Sequence, residues 1–208
     1  MNIKSFSLGA LGTNCYILYK EDKAIIVDPG AEGEKVKSWL SSNNLQPIAI
    51  LLTHAHFDHI GAVEYLRKSY GIKVYMHEAE KSWLGSSRLN GSLLFTGEEI
   101  ITREPDILVE PGPLYIEDFE LDVIHTPGHS PGSISFLTVS EKMLISGDVL
   151  FQRGIGRTDL PGGDYKIIQD TIRNKLYQLP DETIVYPGHG PVTTIGEEKL
   201  LNPFVPEI

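Results

Sequence analysis

Residues 54–59 read His-Ala-His-Phe-Asp-His, which puts three imidazoles and one carboxylate into six positions. Neutral imidazole and carboxylate are the side chains that divalent zinc, manganese or iron take as ligands. His54 and His56 are spaced to turn towards one ion, and the adjacent pair Asp58 and His59 to turn towards a second. A solvated polar loop could carry histidines by chance, but the chain has only seven and three of them fall here. Three more ligand-type residues follow apolar runs. Val123-Ile124 leads into His125-Thr126-Pro127-Gly128-His129, Met143-Leu144-Ile145-Ser146-Gly147 into Asp148, and Ile184-Val185-Tyr186 into Pro187-Gly188-His189. Pro-Gly precedes the histidine twice. Proline presets one dihedral and glycine accepts positive φ, so such a turn aims the next side chain in a fixed direction.

If these segments meet at one sheet edge or sandwich rim, five histidines and two aspartates converge. That set suits two ions about 3.5–4 Å apart, the spacing of two-metal hydrolytic sites. His54, His56 and His129 would form a three-imidazole site, and Asp58, His59 and His189 the other. Asp148 would bridge, since its two oxygens reach two ions and its charge offsets their repulsion. A shared water on such ions falls from the pKa of bulk water to about 7, which supplies hydroxide without a protein nucleophile.

Strands must end where these ligands begin. Residues 3–8 and 14–20 flank Gly9-Ala10-Leu11-Gly12 and read as paired strands. Ala24 to Val27 is a third, stopped by Asp28-Pro29-Gly30. Residues 33–44 place Val36, Trp39 and Leu40 at helical spacing, and the strand 48–53 empties into the ligand loop. Ile60, Val63, Leu66 and Tyr70 then mark one amphipathic helix ended by Gly71, and 72–76 is a strand. Residues 85–113, with scattered glycines and prolines, read as a long excursion joining two halves, either a lid or a plain connection. Strands return at 119–124, 133–139 and 142–146. A helix over 165–176 places Ile168, Ile172 and Leu176 on one face, and 183–186 is the last strand. Strands in runs with interspersed helices indicate a layered α/β domain, here a single one over 1–208.

Composition narrows the class. With 41% hydrophobic and 22% charged residues the chain reads as an ordinary soluble globular protein. A net charge of −10 argues against a nucleic-acid partner, which calls for a basic footprint. Cys15 is the only cysteine, so no intrachain disulfide forms, and its strand-like setting reads as a small buried thiol. The N-terminus has no signal-like apolar block, and no run approaches the roughly 20 apolar residues that span a bilayer. The expectation is a cytoplasmic protein with neither membrane nor nucleic-acid partner.

The series His54-x-His56-x-Asp58-His59, His129, Asp148 and His189, in order across the chain, resembles the signature of the metallo-β-lactamase superfamily of hydrolases. The resemblance implies a four-layer αββα sandwich with the metal site at one rim of two sheets. It also implies two divalent ions, zinc by default, with iron or manganese fitting the same ligands. Thr13-Asn14-Cys15-Tyr16, residues 126–132 and Ser146-Gly147-Asp148 are similar to landmarks of glyoxalase II (hydroxyacylglutathione hydrolase). Residues 154–164 resemble its short bacterial relatives. Arg157 falls where classical members carry a cation that contacts glutathione, which makes it the substrate-binding candidate. Two positions later, where those members carry an aromatic residue, stands Asp159. No added C-terminal helical substrate domain is expected.

What the resemblance implies is a thioesterase acting on 2-hydroxyacyl thioesters of a low-molecular-weight thiol, S-lactoylglutathione-like. The carbonyl would lean on the three-histidine metal and be attacked by bridging hydroxide, with Asp58 and Asp148 as the catalytic carboxylates. A thiolate of parent pKa near 8.5 leaves with little protonation, whereas an amide nitrogen needs a general acid that this set does not offer. Against a β-lactamase stand the missing cysteine ligand and the aspartate bridge, which cysteine-free drug-hydrolysing members generally lack. The alternatives are a mononuclear iron persulfide dioxygenase, an acyl-homoserine lactone lactonase and a non-catalytic metal-binding protein. Outside the set, His77 reads as a cap or surface residue. His125 reads as loop packing or a donor that orients a ligand, and Asp28 as a loop anchor or a turn residue.

Overall fold

The structure, a computed structural model, describes residues 1–206 and divides into two compact units, residues 1–108 and the chain from 109 onward. The first carries β1 (Asn2–Leu8), β2 (Thr13–Lys20), β3 (Lys23–Val27), α1 (Gly33–Ser42), β4 (Gln46–Leu51), α2 (Phe57–Ile60), α3 (Val63–Tyr70), β5 (Lys73–His77) and α4 (Ser92–Thr96). The boundary falls within β6 (Ile107–Val109), the last strand of a six-stranded sheet ordered β1-β2-β3-β4-β5-β6. β3, β4 and β5 run parallel, joined by crossovers through α1 and α3. Alternate strand residues Ile17, Ile26, Ile50 and Val74 pack with Val36 and Leu40 of α1 and Val63 and Leu66 of α3. The other strand positions, Tyr16, Leu18, Ile25, Val27 and Leu51, are equally buried. A sheet buried on both faces explains why these strands read as continuous apolar runs.

The second unit carries β7 (Gly112–Ile116), β8 (Phe119–His125), β9 (Ile134–Thr138), β10 (Met143–Gly147), β11 (Leu150–Phe151), β12 (Gly154–Ile155), α5 (Tyr165–Asn174), β13 (Ile184–Pro187), β14 (Thr193–Thr194) and α6 (Ile195–Leu201). Its sheet is ordered β14-β13-β10-β9-β8-β7, with β10 and β13 parallel and β9 antiparallel to both β8 and β10. β8, β10 and β13 therefore all point the same way. Leu137, Leu144 and Val185 of the sheet pack with Ile168 and Ile172 of α5 and Ile195 of α6. Asp164 caps α5 through Ile167 N, and Thr194 caps α6 through Glu197 N. Among the described residues no helix is long and apolar enough to cross a membrane.

Three expectations need correction, and one helix adds to them. The single helix through Ile60 and Tyr70 is two, α2 and α3, broken at Gly61, where a Cβ would stand 2.2 Å from the Gly30 carbonyl oxygen. β4 ends at Leu51 rather than residue 53, because Thr53 turns to Asp28. The excursion is not free of strands: β6 lies inside it and β7 begins at its end, where Pro113 suits a place at the sheet edge. α6 is the added helix, and Thr194-Ile195-Gly196-Glu197 spells its capping box. Gly71, by contrast, ends α3 in the left-handed conformation as expected (φ 66).

Candidate metal centre

In the first unit the C-terminal ends of three parallel strands carry the chemistry. β3 ends at Asp28, β4 at the 52–59 loop and β5 at the turn holding Glu80. Side chains gathered at the carboxyl ends of parallel strands are the usual site position in open α/β sheets. His54 lies with its ring centroid 4.8 Å from His56 and 4.2 Å from His59, and all three are buried. Asp28, 1% exposed, has φ 49 and serves as the hub. Its Oδ1 accepts Thr53 N at 2.8 Å, and its Oδ2 accepts Thr53 Oγ1 at 2.6 Å and His59 Nδ1 at 3.0 Å. Asp28 is thus the loop anchor, not merely a turn residue.

Those bonds assign tautomers. A carboxylate only accepts, so His59 carries its proton on Nδ1 and a lone pair on Nε2. Thr53 Oγ1 donates its one proton to Asp28, so the 3.0 Å contact with His54 Nδ1 has the imidazole donating, which again puts the lone pair on Nε2. Asp58 Oδ2 accepts Thr13 Oγ1 at 2.7 Å. Glu80, fully buried, accepts Ala55 N at 2.7 Å and holds the loop between His54 and His56.

In the second unit the parallel directions of β8, β10 and β13 bring His129, Asp148 and His189 to one end of the sheet. His129 Nδ1 donates to the Arg157 carbonyl at 2.8 Å, so its Nε2 also carries the lone pair. α5 braces that loop: Thr171 Oγ1 donates to Pro127 O and Asp164 N to Gly128 O, while a Cβ on Gly128 would stand 2.4 Å from Ile168 N. Gly128 has the expected positive φ (129), but in the second Pro-Gly turn the left-handed residue is Gly190 (φ 77), after the histidine rather than before it. There Gly188 N is pinned to Gly147 O at 2.8 Å, and that bond aims His189.

The donor spacing fits a divalent ion. His59 Nε2 lies 3.6 Å from Asp58 Oδ2, and Asp148 Oδ2 lies 3.7 Å from His129 Nε2 and 3.5 Å from His189 Nε2. These are too long for hydrogen bonds, which run at about 2.7–3.2 Å. Two donors each roughly 2.0–2.2 Å from one ion at the tetrahedral angle stand about 3.4 Å apart. The pairs therefore have the spacing of ligands sharing an ion. Each half also carries a glycine beneath its metal-type carboxylate: a Cβ on Gly30 would stand 1.6 Å from Asp58 O, and one on Gly156 1.8 Å from Asp148 O.

The remaining candidates take other roles. His77 Nδ1 accepts Ala79 N and caps the following turn. His125 Nε2 donates to Pro131 O and Lys175 Nζ to His125 O, which makes the residue a brace of its loop. Arg153, outside the candidate set, is tied to buried Glu198. Arg157 forms a two-pronged pair with Asp159, 2.8 Å on each prong, and that hydrogen bonding holds the Asp159 carboxyl down to about 2. Cys15 is buried, and burial pushes its thiol up. Thr13, Glu80, Gly30 and Gly156 escaped the reading of site residues. Thr13 and Gly156 fall within the Thr13–Tyr16 and 154–164 landmarks and Gly30 within the Asp28-Pro29-Gly30 stop, whereas no local pattern marks Glu80.

Comparison with known proteins follows the same lines. The family model for the metallo-β-lactamase superfamily matches residues 8–189. A probable metallo-hydrolase of Bacillus subtilis is 46% identical, covering 99% of this chain and 98% of its own. A hydroxyacylglutathione hydrolase of Haemophilus influenzae is 38% identical over 99% and 98%. The crystal structure of BLEG-1 B3 metallo-β-lactamase, 50% identical, superposes with a TM-score of 0.96 over 98% of this chain and 99% of that one. That of TTHA1623 in a di-iron-bound form, 38% identical, gives 0.88 over 97% and 100%. Matches that run nearly end to end in sequence and in backbone leave one assignment: the chain belongs to the metallo-β-lactamase superfamily and shares its mixed α/β fold.

Proposed function

We propose that the protein is a binuclear metal hydrolase of the glyoxalase II type, cleaving 2-hydroxyacyl thioesters of a low-molecular-weight thiol. In this reading, which follows the ligand series of the sequence, His54, His56 and His129 would hold one ion, Asp58, His59 and His189 would hold a second, and Asp148 would serve both. The observation that carries it is the position of Asp148. Its Oδ2 stands at ligand-to-ligand distance from His129 and from His189, one histidine of each proposed set. The Haemophilus relative named as a hydroxyacylglutathione hydrolase supports the substrate class.

Two bound divalent ions would polarise the thioester carbonyl and bring a shared water to a pKa of about 7. The chain's own residues do the positioning. Asp28, Thr53 and the Arg157 carbonyl keep His54, His59 and His129 as Nε2 ligands before any metal arrives, so no tautomer has to change on loading. Asp58, steadied by Thr13, is the carboxylate that orients the attacking water. The thiol leaves as a thiolate of parent pKa near 8.5, so no side chain has to donate a proton to it. Arg157 meets a carboxylate of the thiol by exchanging it for Asp159. Zinc suits the five imidazoles, and the di-iron neighbour supports iron as an equal fit.

Thiol release from S-lactoylglutathione by zinc- or iron-loaded protein, against chelated protein, tests the proposal. Metal-dependent release is expected, and none with two ions bound would remove it. One observation favours a second reading, β-lactam hydrolysis: the 50%-identical neighbour is a B3 metallo-β-lactamase. Beside it, a missing cysteine ligand and an aspartate at position 148 do not weigh against β-lactam hydrolysis. Ring opening of nitrocefin under the same loading, without turnover of the thioester, would decide for that reading.

A further inference from the structure

The first unit contains a cavity of about 310 Å³ that opens beside Asp58. Its wall is largely apolar, built from Leu8, Leu11, Phe57, Phe95 and Ile100, and among the described residues no basic side chain lines it. Leu11 and Phe95 remain 55% and 45% exposed, although large apolar side chains favour burial. The backbone holds them there. Gly9 and Gly12 (φ 67 and 66) turn the 9–12 hairpin that carries Leu11, and Gly9 N donates to Glu32 Oε1 at 2.9 Å. Gly91 (φ 83) lies under Phe95, where a Cβ would stand 3.3 Å from the ring, and Phe95 stacks on Phe57 with centroids 5.8 Å apart. The excursion expected to be either a lid or a connection thus supplies one wall of a pocket.

Size and charge choose the occupant. Ligand pockets run from about 300 to 1,000 Å³, so this one holds part of a substrate rather than a whole glutathione thioester. The thiol end of such a substrate carries carboxylates. These would be desolvated against largely apolar walls whose one charged side chain, Asp58, is of the same sign, an arrangement that costs heavily. The acyl end carries no such charge. We propose that this cavity is the acyl pocket, and that the protein prefers 2-hydroxyacyl thioesters with a large apolar acyl side chain, aromatic or branched, over the lactoyl ester with its single methyl. The inference rests on the thioesterase reading and deepens it.

Even one methylene in an apolar enzyme pocket changes kcat/KM by about tenfold or more. Zinc-loaded protein should therefore hydrolyse S-mandeloylglutathione with kcat/KM at least about tenfold above that for S-lactoylglutathione. Leu11→Ser and Phe95→Ala should each pull that ratio towards one, with circular dichroism and bound zinc confirming an intact fold. Equal kcat/KM for the two esters, or a ratio that neither substitution moves, overturns the acyl pocket and leaves the thioesterase standing. A binding arm does not depend on turnover: the methyl NMR signals of Leu8, Leu11 and Ile100 are followed while mandelate or lactate is added. Shifts specific to mandelate support the pocket, and their absence overturns it. If neither ester is cleaved the thioesterase reading falls, and the NMR arm still decides the pocket.

Discussion

In the first unit, four ligand-type side chains come from six consecutive residues and are held by buried carboxylates, Asp28 on His59 and Glu80 on the loop backbone. In the second, three come from the ends of separate strands, and the bonds nearest the ligands come from backbone, the Arg157 carbonyl on His129 and Gly147 O on Gly188 N, neither of which involves a buried carboxylate. The contrast follows from stiffness. A loop has little rigidity of its own, so its ligands need side-chain anchors. Strand ends inherit position from the sheet, so neighbouring backbone is enough. Both halves rest the carbonyl of a metal-type aspartate on a glycine, Gly30 or Gly156, which lets a second segment close to backbone contact.

The largest expected effect breaks the second half alone. Asp148→Ala should lower kcat/KM roughly a thousandfold, on the order of 4 kcal/mol of barrier, and leave fewer than two ions bound by metal analysis. Two ions retained with activity near wild type would show that the halves do not share this carboxylate. Next come the glycines. Gly30→Ala and Gly156→Ala each force a Cβ into backbone and should cost about 1–3 kcal/mol, or about 2–4 °C in Tm per kcal/mol. Gly156→Ala should be the worse, because its Cβ also comes within 3.0 Å of His129 Nδ1. Equal melting temperatures for the two variants and wild type would mean that neither contact is constrained.

The anchors sharpen the contrast further. Asp28→Asn replaces one carboxylate oxygen by a donor facing Thr53 or His59, and should weaken metal binding by about 10–100-fold. Arg157→Ala keeps the carbonyl that holds His129, so its metal affinity should stay within about threefold of wild type by competition with a chelating dye. If the two lose affinity equally, side-chain and backbone anchoring are not distinct. The smallest effect is in acid. Burial pushes the Asp106 carboxyl up, but the hydrogen bonds from Arg67 and Val74 N and the charges of Arg67 and Arg103 bring it below the usual range. A carboxyl lowered on folding stabilises above its unfolded pKa of about 3.9 and loses that contribution as pH falls through its folded value. The Tm gap between wild type and Asp106→Asn should therefore be present at neutral pH and shrink below about pH 4. It should stay modest, since Asp106 is more than a third exposed. A gap that widens in acid would contradict the sign.

Local patterns in the chain carried a good deal. Apolar runs marked the main strands, helical spacing marked α1 and α5, Gly71 marked a helix end, and residue type and spacing picked out the ligand candidates. Each of these is written within a few neighbouring residues, where periodicity and turn chemistry act. Tertiary structure decided the rest, because it depends on residues far apart in the chain. Asp28 meets His59 across 31 positions, Thr13 meets Asp58 across 45, and Glu80 meets Ala55 across 25. Nothing near Glu80 tells a buried anchor from a surface acid. Nothing near Gly61 tells that the Gly30 backbone presses there and splits one helix into two. The chain alone determined which side chains could bind metal. Which nitrogen each of His54, His59 and His129 presents was set by long-range hydrogen bonds that only packing could form.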